Sequence, residues 1–401
     1  MQSGWRIGSL FGIPLLVNFS WFLILAFVTL GYSLFWQGQG WTGSITWGAG
    51  LAMALLLFGS VLLHELGHSL IARSQGIKVS SITLFLFGGI AAIDQESKTP
   101  SQAFQVAIAG PAVSFSLFIL LTLAYYGLPR DLLISAIIRH LAGINLVLSL
   151  FNMLPGLPLD GGQVLKAAIW KFTGSRLQGV RWAARVGQWL GWAAVLLSIV
   201  GFLYSFNPTI LWMGLLGWFG VRHAVAYSQV TDLQEALLQI RAATAMTHDF
   251  RVVDAHLTVH QFTDDYLSLE TSQVPAFYAA SDGRYRGMLL PEDLRVIERS
   301  EWDAKTVQDI VHPLSEVPSV EEPTPLTEVI DMLETQQLRR LTVLSPAGAV
   351  SGVIDRGDIV QAIADKLKIP ISRTVIKRIK EEGSYPPGLQ LQTIAKAARE
   401  G

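Results

Sequence analysis

The stretch "GSVLLHELGHSLIARSQG", from Gly59 to Gly76, places two histidines and a glutamate inside an apolar run. That run, from about residue 48 to 72, is long enough to cross a bilayer, since a spanning helix needs about 20 apolar residues. An ionisable side chain near hydrocarbon depth costs roughly 3 kcal/mol or more and generally has a functional partner. The stretch therefore indicates a membrane domain with a site inside it.

The composition of the whole chain agrees with a membrane domain. Of 401 residues, 51% are hydrophobic and 15% are charged, and the mean hydropathy is +0.41, which is too apolar for an ordinary soluble protein. The apolar residues concentrate before about residue 227. A net charge of −1 gives no basic field for nucleic acid, and the lack of cysteine excludes disulfides, thiolate ligands and cysteine nucleophiles. We therefore expect no nucleic-acid partner.

Apolar segments long enough to span a membrane are found at 16–36, 48–72, 103–127, 132–155, 186–206 and 208–226. Short cytoplasmic connections carry an excess of lysine and arginine. The connection between the fourth and fifth segments holds Lys166, Lys171, Arg176, Arg181 and Arg185. This pattern predicts a multi-pass integral membrane protein with six spans and both termini in the cytoplasm. Because the N-terminus lacks an Ala-x-Ala-like cleavage site, we expect the first span to be retained.

The segment "KVSSITLFLFGGIAAID", Lys78 to Asp94, is too short to cross the membrane as a helix. It is rich in β-branched and aromatic residues and contains a Gly-Gly pair, which predicts a strand or hairpin at the cytoplasmic membrane face. A re-entrant or buried connector is the alternative. The start of the chain, "WRIGSLFGIPLLVNFSW", predicts a further short strand before the first helix.

His64, Glu65 and His68 form the pattern H-E-x-x-H. Residues four apart share a helical face, so both imidazoles can reach one ion while Glu65 holds a water on it. The predicted metal is one zinc ion per chain. An inert polar cluster is the alternative.

A third zinc ligand must be His, Asp or Glu, because a catalytic zinc usually has three protein ligands and this chain has no cysteine. The fourth span ends in "FNMLPGLPLDGGQ", residues 151–163, where two prolines interrupt the helix and two glycines free the backbone. Unwound backbone at this depth must line protein or a water-filled cavity. Asp160 is therefore the predicted third ligand, and an ordinary Asp-Gly-Gly turn is the alternative.

"HELGH" in the second span and "NMLPGLPLDGG" after the fourth resemble the two signatures of the site-2 protease family of intramembrane zinc metalloproteases. The resemblance extends over residues 5–226 and includes "AGPAVSFSL" at 109–117. It implies that His64, His68 and Asp160 are ligands, that Glu65 is the general base and that Asn152 lies near the scissile carbonyl. It also implies membrane-spanning substrates such as anti-sigma factors or membrane-tethered transcription factors.

The polar half contains a rough internal duplication, in which residues 245–297 match 309–363 in order. Each copy predicts strand, helix, strand, turn, strand and helix, with turns at Asp282-Gly283 and Ala347-Gly348. This repeat resembles the CBS domain, and the resemblance depends chiefly on the stretches "GMLLPEDL" and "GVIDRGDI". Tandem CBS domains often bind adenine nucleotides, which makes such a nucleotide a candidate cofactor and a CBS-mediated homodimer a candidate assembly.

The nucleotide motif is incomplete in both copies. Asp293 and Asp358 hold the positions that would contact ribose in the resembled family. The hydroxyl position that would meet phosphate is Leu290 in one copy and Asp355 in the other. A carboxylate there would repel a phosphate, so a dimerisation or substrate-docking module is the alternative.

The predicted fold is a polytopic α-helical membrane domain, with six transmembrane helices and short membrane-associated β-strands, followed by α/β cytoplasmic tandem CBS domains. The domain boundaries are 1–227 for the membrane domain, 242–303 and 304–367 for the CBS domains, and 368–401 for a basic tail. The tail predicts a solvated helix, with contact to anionic lipid as the alternative.

The predicted function is intramembrane zinc endopeptidase activity in regulated intramembrane proteolysis, with a cytoplasmic CBS pair that regulates activity or dimerisation. Two alternatives stay open. One is a catalytically silent membrane scaffold, and the other is a CBS-regulated transporter.

Overall fold

A computed structural model describes residues 4–86, 88–267, 275–290, 292–386 and 388–399. The chain divides into two compact units between Thr231 and Asp232. The first unit is mainly helical and the second is mixed α/β.

The described helices that begin in the first unit are α1 (Phe19–Gly38), α2 (Ser44–Ser74), α3 (Pro100–Tyr126), α4 (Leu133–Asn152), α5 (Asp160–Thr173), α6 (Arg176–Ser205) and α7 (Leu211–Gln239), of which α7 continues into the second unit. Among the described residues, α1, α2, α3, α4 and α6 are long and apolar enough to cross a membrane. The predicted sixth span falls on α7, where Arg222 and His223 interrupt the apolar sequence. Five of the six predicted spans therefore correspond to strongly apolar helices, and the count of six is not confirmed.

The strands of the first unit are β1 (Trp5–Leu10), β2 (Ile13–Val17), β3 (Val79–Phe85) and β4 (Gly88–Ile93). They form one sheet in the order β1-β2-β3-β4, in which both hairpins are antiparallel and β2 runs parallel to β3. The predicted hairpin at 78–94 is confirmed, although Phe87 lies outside the described residues. The start of the chain contributes two strands rather than the one predicted. Ile13 and Ile82 pack with Leu66 of α2, which fixes the sheet beside the histidine helix.

Helix α5 lies in the segment that the sequence predicted as a basic connection. Two cations of this segment, Lys166 in α5 and Arg176 at the start of α6, are buried and share one carboxylate. Lys166 Nζ lies 3.1 Å and Arg176 Nη1 lies 2.7 Å from Glu96 Oε2. Burial alone would raise the pKa of Glu96, but the charges of Lys166 and Arg176 hold it below its ordinary value. This ion triad ties the segment after β4 to α5 and α6, and so fixes the helix that begins at Asp160.

The second unit contains α8 (Ala242–Ala245), β5 (Phe250–Asp254), α9 (Val259–Phe262), β6 (Ala276–Ser281), β7 (Arg284–Leu289), β8 (His312–Pro313), β9 (Ser319–Glu321), α10 (Leu326–Thr335), β10 (Arg340–Leu344), β11 (Val350–Asp355), α11 (Arg356–Leu367), α12 (Arg373–Glu382) and α13 (Leu391–Arg399).

The two described sheets of the second unit share the three-strand pattern that the duplication predicts, but the first also contains β8, from residues assigned to the start of the second copy. In one, β5 pairs parallel with β6 and β6 antiparallel with β7; in the other, β9 pairs parallel with β10 and β10 antiparallel with β11. Both predicted turns are present, with left-handed φ at Asp282, Gly283 and Gly348. Residues 268–274 and Pro291 of the first copy lie outside the described residues. A hydrogen bond of 2.7 Å between the hydroxyls of Tyr278 and Thr342 joins the two copies.

The tail differs from the solvated helix predicted. It forms α12 and α13, and Ile379, Leu391 and Ala395 are buried in the same apolar core as Leu333 of α10. The apolar residues of each tail helix lie on one face, and burying that face stabilises the fold more than leaving it in water. The tail is therefore part of the second repeat's core; Pro387 lies outside the described residues.

Candidate metal centre

The structure brings His64, His68 and Asp160 together, as the sequence predicted. His64 and His68 lie on successive turns of α2, and Asp160 is the first residue of α5. Asp160 Oδ2 lies 3.0 Å from His64 Nε2 and 3.3 Å from His68 Nε2, and the two Nε2 atoms are 3.3 Å apart. Three donor atoms from two separate elements thus meet at one point.

The far ring nitrogens of both histidines are held by α3. His68 Nδ1 donates to the carbonyl of Val106 at 2.6 Å, and His64 Nδ1 lies 2.9 Å from Ser114 Oγ. Since a carbonyl can only accept, the neutral His68 ring keeps its lone pair on Nε2. Metal-binding histidines are typically oriented in this way by a partner on the other nitrogen.

The donor set fits zinc. Nitrogen and oxygen ligands at about 2.0–2.1 Å from a tetrahedral zinc ion lie about 3.3 Å from one another, and the three separations here are 3.0–3.3 Å. Without a cation, lone pairs from two imidazoles and a carboxylate would repel one another at this distance.

Glycines allow α3 to approach the histidines closely. A Cβ atom at Gly110 would lie 2.2 Å from His68 Nε2 and 2.7 Å from His64 Nε2, and one at Gly67 would lie 3.0 Å from the Ala109 carbonyl oxygen. Any side chain at position 110 would therefore occupy the space between the donor atoms.

Glu65 lies half-buried on α2 between the two histidines in sequence and faces β4. A Cβ atom at Gly89 would lie 2.6 Å from Glu65 Cγ, and the Glu65 carboxylate accepts a hydrogen bond from the Ala91 backbone. The packing of α2 against β4 therefore holds the Glu65 carboxylate beside the three donor atoms.

Asn152 is the last residue of α4 and is half-buried. One turn earlier, the Ser149 hydroxyl donates to the Pro111 carbonyl at 3.0 Å, and two turns earlier the Asn145 amide donates to Ser60 Oγ at 2.9 Å. The latter bond joins α4 to α2. These bonds pack the end of α4 against the two helices that carry and support the histidines.

Sequence reasoning missed Ser114, the Val106 carbonyl and Gly110. Ser114 and Gly110 lie in the stretch "AGPAVSFSL", where a glycine and a serine four residues apart in an apolar helix are the available signal. Because these residues are far from the histidines in sequence, spacing alone does not predict that they contact them.

The comparisons with known proteins agree with this geometry. The profile of Peptidase family M50 matches residues 52–138 and 130–194, and that of the CBS domain matches 307–365. A protein of Synechocystis sp. that is named as a zinc metalloprotease is 41% identical over 367 residues, covering 90% of this chain and 96% of that protein. The chain belongs to peptidase family M50. It is a zinc metalloprotease with a CBS domain.

Other M50 relatives extend over the same length. Rip3 of Mycobacterium tuberculosis, also named as a zinc metalloprotease, is 31% identical, with 90% of this chain and 93% of that protein covered. A zinc metalloprotease of Methanocaldococcus jannaschii is 28% identical, with 90% and 96% covered. Among solved structures, the site-2 protease of the same archaeon matches with 30% identity and a TM-score of 0.41, covering 56% of this chain and 95% of that one.

The predicted ribose carboxylates of this M50 protein are already paired. His312 Nε2 lies 2.8 Å from Asp293 Oδ2, and Lys380 Nζ lies 2.6 Å from Asp358 Oδ1. Lys380 also lies 3.5 Å from Asp355 Oδ2. A cavity of about 690 Å³ lies between the two repeats, with Asp355 and Lys380 in its wall. The Asp355 charge expected to repel phosphate is thus partly neutralised by the tail, and nucleotide binding stays a prediction.

Proposed function

We propose that this zinc metalloprotease hydrolyses a peptide bond within or near a transmembrane segment of a membrane-anchored protein, in regulated intramembrane proteolysis. The observation that carries the proposal is the meeting of His64, His68 and Asp160 inside a bundle of apolar helices. Ionisable groups at such a depth are retained for function rather than stability.

In this proposal His64, His68 and Asp160 hold one zinc ion. When bound, zinc supplies a Lewis acid for the peptide carbonyl and an acidified water. Glu65 accepts the proton of that water and later delivers it to the leaving nitrogen, and the Asn152 amide donates to the oxyanion. Ser114 and the Val106 carbonyl orient the two imidazoles.

The proposed topology has six spans, with α7 as the sixth, and both termini in the cytoplasm. The proposed domains are 1–227, 242–303, 304–367 and the tail 368–401, whose helices α12 and α13 pack on the second repeat. The proposed substrates are anti-sigma factors or membrane-tethered transcription factors, and the CBS pair forms a homodimer or regulates activity.

The open edge of β4 is the proposed docking strand for an unwound substrate. The Asp94 N–H donates to the Lys78 carbonyl at 3.0 Å, so the N–H groups of Ala92 and Ile90 also face β3, because strand backbone alternates. Those of Ala91 and Ile93 then face away from the sheet; the Ala91 N–H meets the Glu65 carboxylate, which leaves the Ile93 N–H for a substrate strand. Addition of a substrate strand at this edge would bring its carbonyls beside Glu65.

The test of the base is Glu65→Gln, compared with wild type for zinc content and for cleavage of a tagged single-span reporter. We expect near one zinc per chain in both proteins and cleavage by wild type alone, because the amide keeps the shape of the side chain and cannot accept the proton. Equal cleavage by the two would overturn the assignment, and zinc without cleavage in wild type would favour the silent scaffold.

The test of the docking strand is Ile93→Pro, which removes an outward N–H and leaves the bonds to β3. One backbone hydrogen bond is worth about 0.5–1.5 kcal/mol, so we expect cleavage about threefold to tenfold slower with unchanged zinc content. The matched control is Ser9→Pro in β1, on the opposite edge of the sheet, because Ser9 lies opposite Pro14 in a non-hydrogen-bonded pair and its N–H also faces away from the sheet. Equal effects at both edges would sink the idea.

A further inference from the structure

A cavity of about 860 Å³ lies along α4, from Ala136 to Phe151. Its wall is formed by the ends of α1 and α3 and by α4. Ile137 and Leu141, near the cavity, pack with Met53 of α2, and Met53 precedes His64 by eleven residues, or roughly 16 Å of helix. The arginine end of the cavity is therefore distant from His64, and its other end reaches Phe151, next to Asn152.

The end of this cavity near the start of α4 contains positive charge and hydrogen-bond donors. Arg130 and Arg139 line it, and neither has an ion-pair partner among the described residues. Of the described lining residues, none is a carboxylate. Trp36 also lines it and is 1% exposed, and its indole Nε1 has no hydrogen-bond partner among the described atoms. The buried Nε1 is not accessible from the cavity, so the two arginines rather than Trp36 make this end of the cavity fit an anion.

The rest of the cavity is apolar and follows α4. Arg139, Gly143, Val147 and Phe151 are spaced four residues apart and so form one inclined ridge along α4. From Arg139 to Phe151 this ridge runs roughly 18 Å at 1.5 Å per residue, close to the hydrocarbon depth of one leaflet, about 15 Å. Val147 and Phe151 are exposed, as side chains that face lipid are.

We propose that this cavity binds one anionic phospholipid, with its phosphodiester head between Arg130 and Arg139 and an acyl chain along α4. Arginine binds phosphate through parallel N–H donors, and tryptophan is favoured where headgroup and hydrocarbon meet. The apolar lower wall suits an acyl chain better than an acidic peptide, whose charged side chains would have no partners there.

The experiment is native mass spectrometry of the full-length protein after exchange into an equal mixture of phosphatidylglycerol and phosphatidylcholine. We expect one retained phosphatidylglycerol per chain. Loss of two charge-assisted bonds should lower this retention about tenfold or more in Arg130→Gln/Arg139→Gln. The matched control is Arg185→Gln/Arg222→Gln, which removes two other exposed arginines whose recorded partners are tryptophan rings.

A second variant tests the acyl groove without changing charge. A Cβ atom at Gly143 meets nothing within 4 Å, so Gly143→Phe should fill the groove without disturbing the fold and should also release the lipid. Gly31→Phe on α1, where there is equal space, is its control. Equal retention of both lipids, retention by Arg130→Gln/Arg139→Gln, or displacement by inorganic phosphate or an acidic peptide alone would overturn the proposal.

Discussion

Two clusters of buried polar side chains, one on α2 and α5 and the other on α11 and α12, differ in how their carboxylates are balanced. At the first, Asp160 meets two imidazole nitrogens at 3.0 and 3.3 Å. At the second, Asp358 meets the ammonium of Lys380 at 2.6 Å. The first cluster presents three lone pairs to an external cation, whereas the second supplies its own cation from the tail. Similar residue types therefore make a ligand site in one case and a structural ion pair in the other.

The largest expected effect distinguishes the two clusters by their metal content. Asp160→Asn replaces a charged ligand with a neutral amide, and we expect zinc affinity to fall more than about a hundredfold, since even loss of an orienting partner costs about 10–100-fold. Zinc titration of the purified protein measures this. Asp131→Asn, at an exposed aspartate, is the control. Unchanged affinity in Asp160→Asn would remove Asp160 from the ligand set.

The second prediction removes the internal cation of the other cluster. In the folded chain, burial and the charge of Asp355 raise the pKa of Asp358 to about 6 from its ordinary 3.8. Stability gained by protonating Asp358 is therefore fully present below about pH 3.8 and lost as the pH rises through about 6. Lys380→Met leaves the ionised carboxylates unpaired, so we expect a loss of the order of 2 kcal/mol at pH 8 and a smaller loss at pH 5.

Thermal unfolding and hydrogen exchange of α12 in the full-length protein measure this loss. The control is Lys377→Met, which removes an exposed lysine one turn earlier whose distance to Glu381 is 3.7 Å. Zinc content should not change in either variant. Equal losses at pH 5 and pH 8 would contradict the role assigned to Asp358 ionisation.

The smallest expected effect concerns the orientation of a metal ligand. Ser114→Ala removes the partner of His64 Nδ1, and we expect zinc affinity to fall about tenfold while the fold is retained. Ser116→Ala is the matched control, because Ser116 lies two residues further along α3 and its hydroxyl donates to the carbonyl of its own helix at Ala112. A loss of affinity in both variants would indicate a general effect on α3.

The sequence predicted the parts of the site that depend on local spacing. His64 and His68 share a helical face because they are four residues apart, and Asp160 followed from the interrupted helix and the lack of cysteine. Ser114 could not be predicted in the same way, since its contact with His64 depends on how closely α3 packs against α2.

The errors in the fold have similar causes. The tail carries many basic residues and so resembled a solvated helix, but its periodic apolar residues, such as Ile379 and Leu391, pack against the second repeat. Lys380 points inward because its ammonium group pairs with Asp355 and Asp358 at the start of α11. The sixth span stayed unconfirmed because Arg222 interrupts an otherwise apolar segment.

The closeness of Gly110 to the two histidines has a consequence for inactivation. A methyl group at that position would lie 2.2 Å from His68 Nε2 and 2.7 Å from His64 Nε2, well inside van der Waals contact, in the space that the metal needs. A single substitution at this residue, which is not itself a ligand, would therefore prevent metal binding. Natural or engineered chains with alanine at this position would retain the whole H-E-x-x-H signature and still be expected to lack metal.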